Sequence, residues 1–134
     1  MSFISRYVST QKIVQGIKKM KEHIMKLTPS PLKKIRSGEK TIELRLYDEK
    51  RKQVSIGDKI QFVNSENPND TLTVSVKNLY VFESFAALYK NLPLLKCGYT
   101  EYDINTATPS DMDLYYSKEK QKQYGVIGIE ISLL

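Results

Sequence analysis

The chain has 134 residues, 40% of them apolar and 27% charged, which is the composition of a folded domain and not of a disordered segment. One cysteine, Cys97, and one histidine, His23, exclude an internal disulfide and a four-ligand zinc site of the Cys/His type. No apolar run is long enough for a spanning helix, and residues 1–20 lack the pattern of a secretory signal. We therefore expect a cytoplasmic protein with no membrane partner, no metal and no other cofactor.

The positive charge is concentrated in the first part of the chain. Residues 1–53 contain 14 Lys and Arg against 5 Asp and Glu, residues 54–134 contain 7 against 10, and the net charge of the whole chain is +6. A basic surface of this kind attracts partners that carry phosphate, such as RNA or a nucleotide. A lysine-rich face that is only solvated is the alternative.

The first predicted element is a short amphipathic helix over residues 9–20, where apolar side chains recur at helical spacing. Gly16 weakens this helix, and residues 23–27 are typical of a strand. We therefore predict that residues 1–23 are an N-terminal helical extension and that residues 24–134 form the domain.

A second short helix is predicted with Ser30 as its N-cap, Pro31 in its first position and Gly38 just beyond its end. Residues 41–47 then alternate strictly between apolar and polar side chains, which predicts a strand. Its apolar face belongs to the core, and its polar face is left for a cleft or for solvent.

Further strands and helices follow along the chain. Strands are predicted at residues 59–63, at 71–76 with a continuation through 79–81, and at 126–131, with a surface loop over residues 64–70. Helices are predicted over residues 84–92 and from Thr108 to Gly125, with an irregular segment between them. This order of elements predicts an α+β fold, a small and mostly antiparallel β-barrel with short peripheral helices.

The polar face of the strand over residues 41–47 is the first candidate for a functional site. Glu43 and Arg45 are two residues apart and project from the same face, with Cα atoms roughly 7 Å apart. Gly38 allows a sharp turn that brings the ammonium of Lys40 near them. Two cations and one carboxylate would then line one cleft, whereas an ordinary solvated face with a Glu–Arg pair is the alternative.

Tyrosines in the C-terminal half are a second candidate feature. Exposed rings beside a basic groove stack on unpaired bases, although packing with the hydroxyl at the surface is the more common arrangement. We expect Tyr47 and Tyr116 to face a ligand, with Ser117 as a further hydrogen-bond donor.

The string Gly38-x-Lys40-x-x-Glu43-x-Arg45, preceded by a short helix and followed by a turn at residues 57–58, resembles the signature of the ASCH domain family. Residues 115–119 and 124–129 are similar to the carboxyl end of bacterial members. Together the similarity covers about residues 24–134.

The resemblance implies a β-barrel related to the PUA domain, with a cleft beside the signature that holds RNA. Lys40 and Arg45 would bind phosphate or a base edge, because Arg offers a planar fork of donors and Lys a point charge. Glu43 would orient Arg45 or accept a base amino group.

A hydrolase acting on RNA or a modified nucleoside is the second hypothesis, because some members of the wider family are enzymes. They include a ribonuclease of single-stranded RNA and an amidohydrolase that deacetylates N4-acetylcytidine. In the amidohydrolase a Lys matches Lys40, but a Thr, the proposed nucleophile, stands where this chain has Glu43. If the chain is an enzyme, we predict Lys40 as the general base, with Tyr47 or Tyr116 as the acid.

A third hypothesis is a regulatory domain that holds a small anionic metabolite. Tight binding of a mononucleotide with little affinity for oligomers would support it.

Overall fold

A computed structural model describes residues 19–134. Residues 1–18 lie outside the described residues. They include most of the helix predicted over residues 9–20 and most of the extension predicted over residues 1–23, and both stay predictions.

Five strands and three α-helices make up most of the described chain. The strands are β1 (Glu22–Leu27), β2 (Ile42–Leu46), β3 (Lys59–Asn64), β4 (Asn67–Phe82) and β5 (Val126–Leu133). The α-helices are α1 (Pro29–Arg36), α2 (Phe85–Asn91) and α3 (Lys118–Tyr124). Short 3₁₀ helices lie at Arg51–Gln53, Leu94–Lys96, Ile104–Thr106 and Pro109–Leu114. Within the described residues no helix is long and apolar enough to cross a membrane.

The strands form one mixed sheet in the order β1-β3-β4-β5-β2. The pairing of β1 with β3 is parallel, and the other three pairings are antiparallel. The sheet curls into a half-barrel, which confirms the predicted α+β, mostly antiparallel barrel with short helices. Because β1 and β2 stand at the two ends of the order, they are the edge strands of this half-barrel.

Two apolar cores hold the elements together. The first joins β1, β3, β4 and β5 to α1, whose Leu32 and Ile35 pack against Phe62 and other buried side chains of these strands. The second joins the apolar side chains of β2 to α2 and to the 3₁₀ helix Pro109–Leu114, through residues such as Phe85 and Met112. Strand β2 therefore contributes its apolar side chains to the second core only.

The predicted cap of the second helix was wrong by two residues. The helix begins at Pro29 with Thr28 as its N-cap, so Ser30 lies inside the first turn. The choice was ambiguous because Thr28-Pro29 and Ser30-Pro31 carry the same pair of start signals. The predicted end is confirmed, because Gly38 follows the helix with a φ of +85°.

The loop predicted over residues 64–70 is much shorter in the structure. β3 and β4 form a hairpin in which Asn64 pairs with Asn67, so only residues 65 and 66 connect the strands. Pro68 fits because the register shifts here, from Asn64 opposite Asn67 to Val63 opposite Thr71. Proline has no backbone N–H, and a residue in a bulge does not have to donate a hydrogen bond to the neighbouring strand.

The helix predicted from Thr108 to Gly125 is two elements. The 3₁₀ helix ends at Leu114, and α3 begins after Ser117, whose hydroxyl oxygen accepts a hydrogen bond from the backbone N–H of Lys120 at 3.2 Å. Ser117 has the extended backbone of an N-cap residue, so one continuous helix cannot pass through it. The helical spacing of the apolar residues on both sides of Ser117 therefore belongs to two separate elements.

Gly125 joins α3 to β5 and lies close to the end of β4. Its φ is +72°, and a Cβ added there would lie 2.9 Å from the carbonyl oxygen of Phe82. We expect Gly125→Ala to lower the free energy of unfolding by about 3 kcal/mol, since backbone strain and a steric clash add together. Urea unfolding at neutral pH measures the loss.

Gly57→Ala is the matched control, because Gly57 also has a positive φ but nothing within 4 Å of an added Cβ. Gly57→Ala should lower the free energy of unfolding by clearly less than Gly125→Ala does, about 1 kcal/mol. Equal losses in the two variants would show that the contact with Phe82 does not matter.

Candidate functional site

The turn between α1 and β2 fixes the position of Lys40. Its backbone N–H donates to the carbonyl oxygen of Lys34 at 3.0 Å, which ties the turn to the last part of α1. A Cβ added at Gly98 would lie 3.5 Å from both Cδ and Nζ of Lys40, so the lysine side chain packs directly on this glycine. As a result the Lys40 side chain is almost fully buried.

Lys40, Glu43 and Arg45 form an ion triad around one buried carboxylate. Glu43 is only 3% exposed. Its Oε1 lies 2.9 Å from Nζ of Lys40, and its Oε2 accepts a hydrogen bond from Nε of Arg45 at 2.7 Å. The structure therefore brings together the three residues that the sequence placed at one site.

The triad lies deeper than the sequence predicted. Glu43 is paired with Ile129 of β5, and Arg45 with Ile127. Directly paired residues project to the same side of a sheet, so the polar face of β2 is turned toward the side that carries the first core. Both faces of β2 are thus covered, and the alternative of an ordinary solvated strand face was wrong.

Electrostatics at the triad favour the charged forms of Glu43 and Arg45. Burial alone would raise the pKa of Glu43, but the charges and hydrogen bonds of Lys40 and Arg45 outweigh it and hold that pKa below its ordinary value. Burial would likewise lower the pKa of Arg45, but the carboxylate of Glu43 raises it. Glu43 is therefore ionised at neutral pH.

Arg45 also joins the two edges of the half-barrel. Its Nη2 donates to the backbone carbonyl oxygen of Lys26 on β1 at 2.7 Å. Strands β1 and β2 stand at opposite ends of the strand order, so the guanidinium spans the opening between them. One side chain therefore holds Glu43 and closes part of this opening.

A cleft of about 820 Å³ lies at this opening, along the free edge of β2. The triad lines it, together with residues of β1 and α1, such as Lys26 and Lys34. The rest of the lining includes Tyr89 of α2, Asp103 and the segments over residues 97–99 and 111–116. This volume is within the range of about 300–1,000 Å³ that is usual for small-molecule sites.

A chain of hydrogen bonds that the sequence analysis did not predict also lines the cleft. The hydroxyl of Tyr99 donates to Oδ2 of Asp111 at 2.7 Å and lies 2.6 Å from the hydroxyl of Tyr89. Since the single O–H of Tyr99 donates its hydrogen bond to Asp111, the Tyr89 hydroxyl must donate to Tyr99. The Tyr89 oxygen is therefore left as an acceptor.

No sequence signal marked this chain of hydrogen bonds. Asp111 also accepts the backbone N–H of Thr108, which is the helix-start role that its position suggested. Burial, followed by the hydrogen bonds to Tyr89 and Asp111, raises the pKa of Tyr99 far above its ordinary value. The three residues come from separate elements, and only the packing of α2 against residues 99–111 brings them together.

Tyr116, one of the two tyrosines expected to face a ligand, lines the cleft. Its ring stacks on Phe85, with centroids 6.2 Å apart and an interplanar angle of 17°. Burial raises the pKa of its hydroxyl, although the nearby charge of Arg45 opposes this. The phenol is therefore neutral at physiological pH and serves as a hydrogen-bonding group.

Tyr47 and Ser117, the other two predicted ligand residues, do not line the cleft. Tyr47 packs against the first core, with Nζ of Lys52 at 5.6 Å from its ring centroid. The Ser117 hydroxyl caps α3. The structure thus gives both residues structural contacts away from the triad.

Burial of Cys97 and the contact of His23 with a buried carboxylate give these two residues structural roles. Burial raises the pKa of the Cys97 thiol to about 12, so the reactive thiolate is absent at neutral pH. His23 Nε2 lies 2.9 Å from Oδ2 of the buried Asp58, which also accepts the backbone N–H of Ser55. Over residues 19–134 there is no group of His, Cys, Asp and Glu that could hold a metal ion.

Fold and site together define a half-barrel domain with a charged cleft at its open seam. The family model described as "ASCH domain" matches residues 25–134. The chain therefore belongs to the ASCH domain family, as its resemblance implied. No curated protein matches the sequence significantly.

Solved structures with this fold include three that cover most of the chain. Hypothetical protein PH0355 is 31% identical, with a TM-score of 0.70 over 84% of this chain and 99% of its own. Protein PF0455 from Pyrococcus furiosus is 34% identical, with a TM-score of 0.65 over 84% and 97%. ASCH from Zymomonas mobilis is 15% identical, with a TM-score of 0.59 over 84% and 67%, and shows the likeness of fold alone.

The buried carboxylate predicts a specific dependence of stability on pH. Because the pKa of Glu43 is lower in the folded than in the unfolded chain, its stabilisation is present above the ordinary value of 4.5 and is lost as the pH falls through the folded pKa. At pH 7, Glu43→Gln should cost about 3–5 kcal/mol, because it leaves two buried cations unpaired. Urea unfolding from pH 7 to pH 3 should show this difference shrinking below about pH 4.5.

Glu39→Gln is the control, since Glu39 belongs to the same turn but is exposed and accepts a hydrogen bond only from the Ser37 hydroxyl among the bonds described. It should leave the stability nearly unchanged at every pH. If the Glu43→Gln deficit stayed constant down to pH 3, the carboxylate would not be held ionised by its neighbours.

Proposed function

We propose that this chain binds RNA or a nucleotide in the cleft beside Lys40, Glu43 and Arg45. The observation that carries the proposal is the ion triad, in which two cations share one buried carboxylate at the cleft. The triad has an excess of one positive charge in a largely desolvated position, where a charge interacts strongly with an anionic or acceptor-rich ligand.

Hydrogen-bond chemistry supports the same conclusion. Lys40 and Arg45 both have more N–H donors than their contacts with Glu43 and the Lys26 carbonyl occupy. Spare donors suit phosphate oxygens and the carbonyl oxygens of bases. Glu43 keeps both cations in fixed positions, so a ligand meets an ordered set of donors and little entropy is lost on binding.

The tyrosines of the cleft suit the other part of a nucleotide. Tyr89, Tyr99 and Tyr116 present ring surface and hydroxyl groups together. The Tyr89 oxygen is free to accept a hydrogen bond, because the O–H of Tyr89 donates to Tyr99. Acceptor oxygens can therefore meet the triad, and an N–H or O–H of the same ligand can meet Tyr89.

Several placements favour binding over the hydrolase alternative. Glu43 occupies the position of the threonine nucleophile that the amidohydrolase resemblance requires. Two other side chains that can act as nucleophiles are poorly disposed, because the Cys97 thiol stays protonated and the Ser117 hydroxyl caps α3. Lys40, the predicted general base, is hydrogen-bonded to a carboxylate.

Two lysine variants test the proposed site. Lys40→Ala and Lys33→Ala remove the same charge, but only Lys40 lines the cleft, whereas Lys33 lies exposed on α1. Isothermal titration with ribonucleoside monophosphates and with short RNA should show at least a tenfold loss of affinity for Lys40→Ala, about 1.4 kcal/mol, and less than a twofold loss for Lys33→Ala. Equal losses would mean that binding depends on overall charge and not on the cleft.

A milder variant keeps the test valid if Lys40→Ala does not fold. Tyr116→Phe removes one hydroxyl and leaves the ring stacked on Phe85. It should weaken binding about threefold to tenfold while the melting temperature stays close to that of the wild type. Chromatography of the same RNA and nucleoside mixtures after incubation tests for hydrolysis, and a product that disappears with Lys40→Ala would establish the enzyme instead.

A further inference from the structure

Two large apolar side chains line the mouth of the cleft and are nevertheless open to solvent. Leu114 is 86% exposed and Tyr115 is 69% exposed, and both belong to the cleft lining. Leu95 and Tyr102 are also exposed, but they do not line the cleft. We refer to Leu114 and Tyr115 as the apolar rim.

The backbone beneath the apolar rim is firmly held. The N–H groups of Tyr115 and Tyr116 both donate to the carbonyl oxygen of Met112 at 3.1 Å. Nε2 of Gln121 donates to the carbonyl oxygen of Tyr116 and to Oδ1 of Asp113, each at 2.9 Å. Met112 on one side and Tyr116 on the other are packed in the second core. The backbone of residues 112–116 therefore holds the side chains of Leu114 and Tyr115 in exposed positions.

The charges around the apolar rim suit a phosphate backbone. Lys26 and Lys34 line the same cleft. Beyond the rim, Nζ of Lys118 approaches Oδ2 of Asp113 at 4.0 Å, and its side chain is largely exposed. The cleft lining as a whole has four cations against the carboxylates of Glu43, Asp103 and Asp111, an excess of one positive charge. An exposed ring beside cationic side chains is an arrangement that proteins use to hold unpaired nucleic acid, since bases stack on the ring and phosphates follow the cations.

The extent of the rim argues against a protein partner. A stable protein interface buries about 1,200–2,000 Å² in total and is built around a continuous core of side chains. Leu114 and Tyr115 are only two neighbouring residues, and their apolar surface continues into the cleft. A ligand that occupies the cleft and continues over the rim fits this shape.

We propose that Leu114 and Tyr115 form a stacking platform for the nucleotide that adjoins the one in the cleft. The ligand is then a segment of single-stranded RNA at least two nucleotides long, and not a free nucleotide. This proposal rests on the function proposed above, because it takes the nucleotide in the cleft as given. It adds a second binding position, on the rim.

The test compares ligand lengths in two tyrosine variants. Titrations use the four ribonucleoside 5′-monophosphates, the four single-stranded homotetranucleotides and one RNA duplex, at constant salt. For wild-type protein we expect the best tetranucleotide to bind at least ten times more tightly than its monophosphate. Tyr115→Ala should lower that ratio about tenfold, since stacking on an aromatic side chain contributes about 1–3 kcal/mol per base.

Tyr102→Ala is the matched control, because Tyr102 is 99% exposed and does not line the cleft. Tyr102→Ala should leave the ratio of tetranucleotide to monophosphate affinity within twofold of the wild-type ratio. Tyr115→Phe should keep most of the wild-type ratio, since the ring and not the hydroxyl supports stacking. The salt dependence should be the same for Tyr115→Ala and the wild type, because tyrosine contributes no charge.

Other results would overturn the platform. These are equal ratios in Tyr115→Ala and Tyr102→Ala, equal binding of duplex and single strand, or a wild-type protein that binds monophosphates as tightly as tetranucleotides. So would a dimer in sedimentation that Tyr115→Ala dissociates, because the rim would then be a contact between copies. A wild-type protein that binds none of these probes would instead contradict the function proposed for the cleft.

Discussion

The whole candidate site depends on the carboxylate of Glu43. A carboxylate with so little access to water is stable only with opposite charges and hydrogen bonds around it, and Lys40 and Arg45 supply both. Lys40 comes from the turn after α1, and Arg45 continues to the carbonyl oxygen of Lys26 on β1. One carboxylate therefore fixes the turn, strand β2 and the opposite edge of the half-barrel relative to each other.

This interaction also explains where the cleft lies. The sheet is not closed by hydrogen bonds between β1 and β2, and the edge groups of an open sheet need other partners. Arg45 provides one such partner while leaving space along β2, and that space is the cleft. The site thus combines a charged part that is rigid with a mouth at Leu114 and Tyr115 that is open to solvent. Rigid donors orient a ligand, and exposed side chains extend the contact beyond it.

Much of the fold could be predicted because each strand has a clear period. β1, β2, α2 and β5 lie where alternation or helical spacing placed them. The errors arose where local signals compete or where a distant partner decides. Two adjacent Ser/Thr-Pro pairs compete for the start of α1, a bulge accommodates Pro68 within the β3–β4 hairpin, and the Ser117 cap divides the last helical segment in two.

The sequence by itself determined that Lys40, Glu43 and Arg45 belong to one polar face, because a period of two and one glycine turn are local properties. It did not determine which way that face points. Pairing with β5 decided this, since Glu43 opposite Ile129 must share the side of the first core. Tertiary structure alone also joined Tyr89, Tyr99 and Asp111 and left Tyr47 and Ser117 outside the cleft. These contacts link residues far apart in the chain, and no local pattern encodes how distant elements pack.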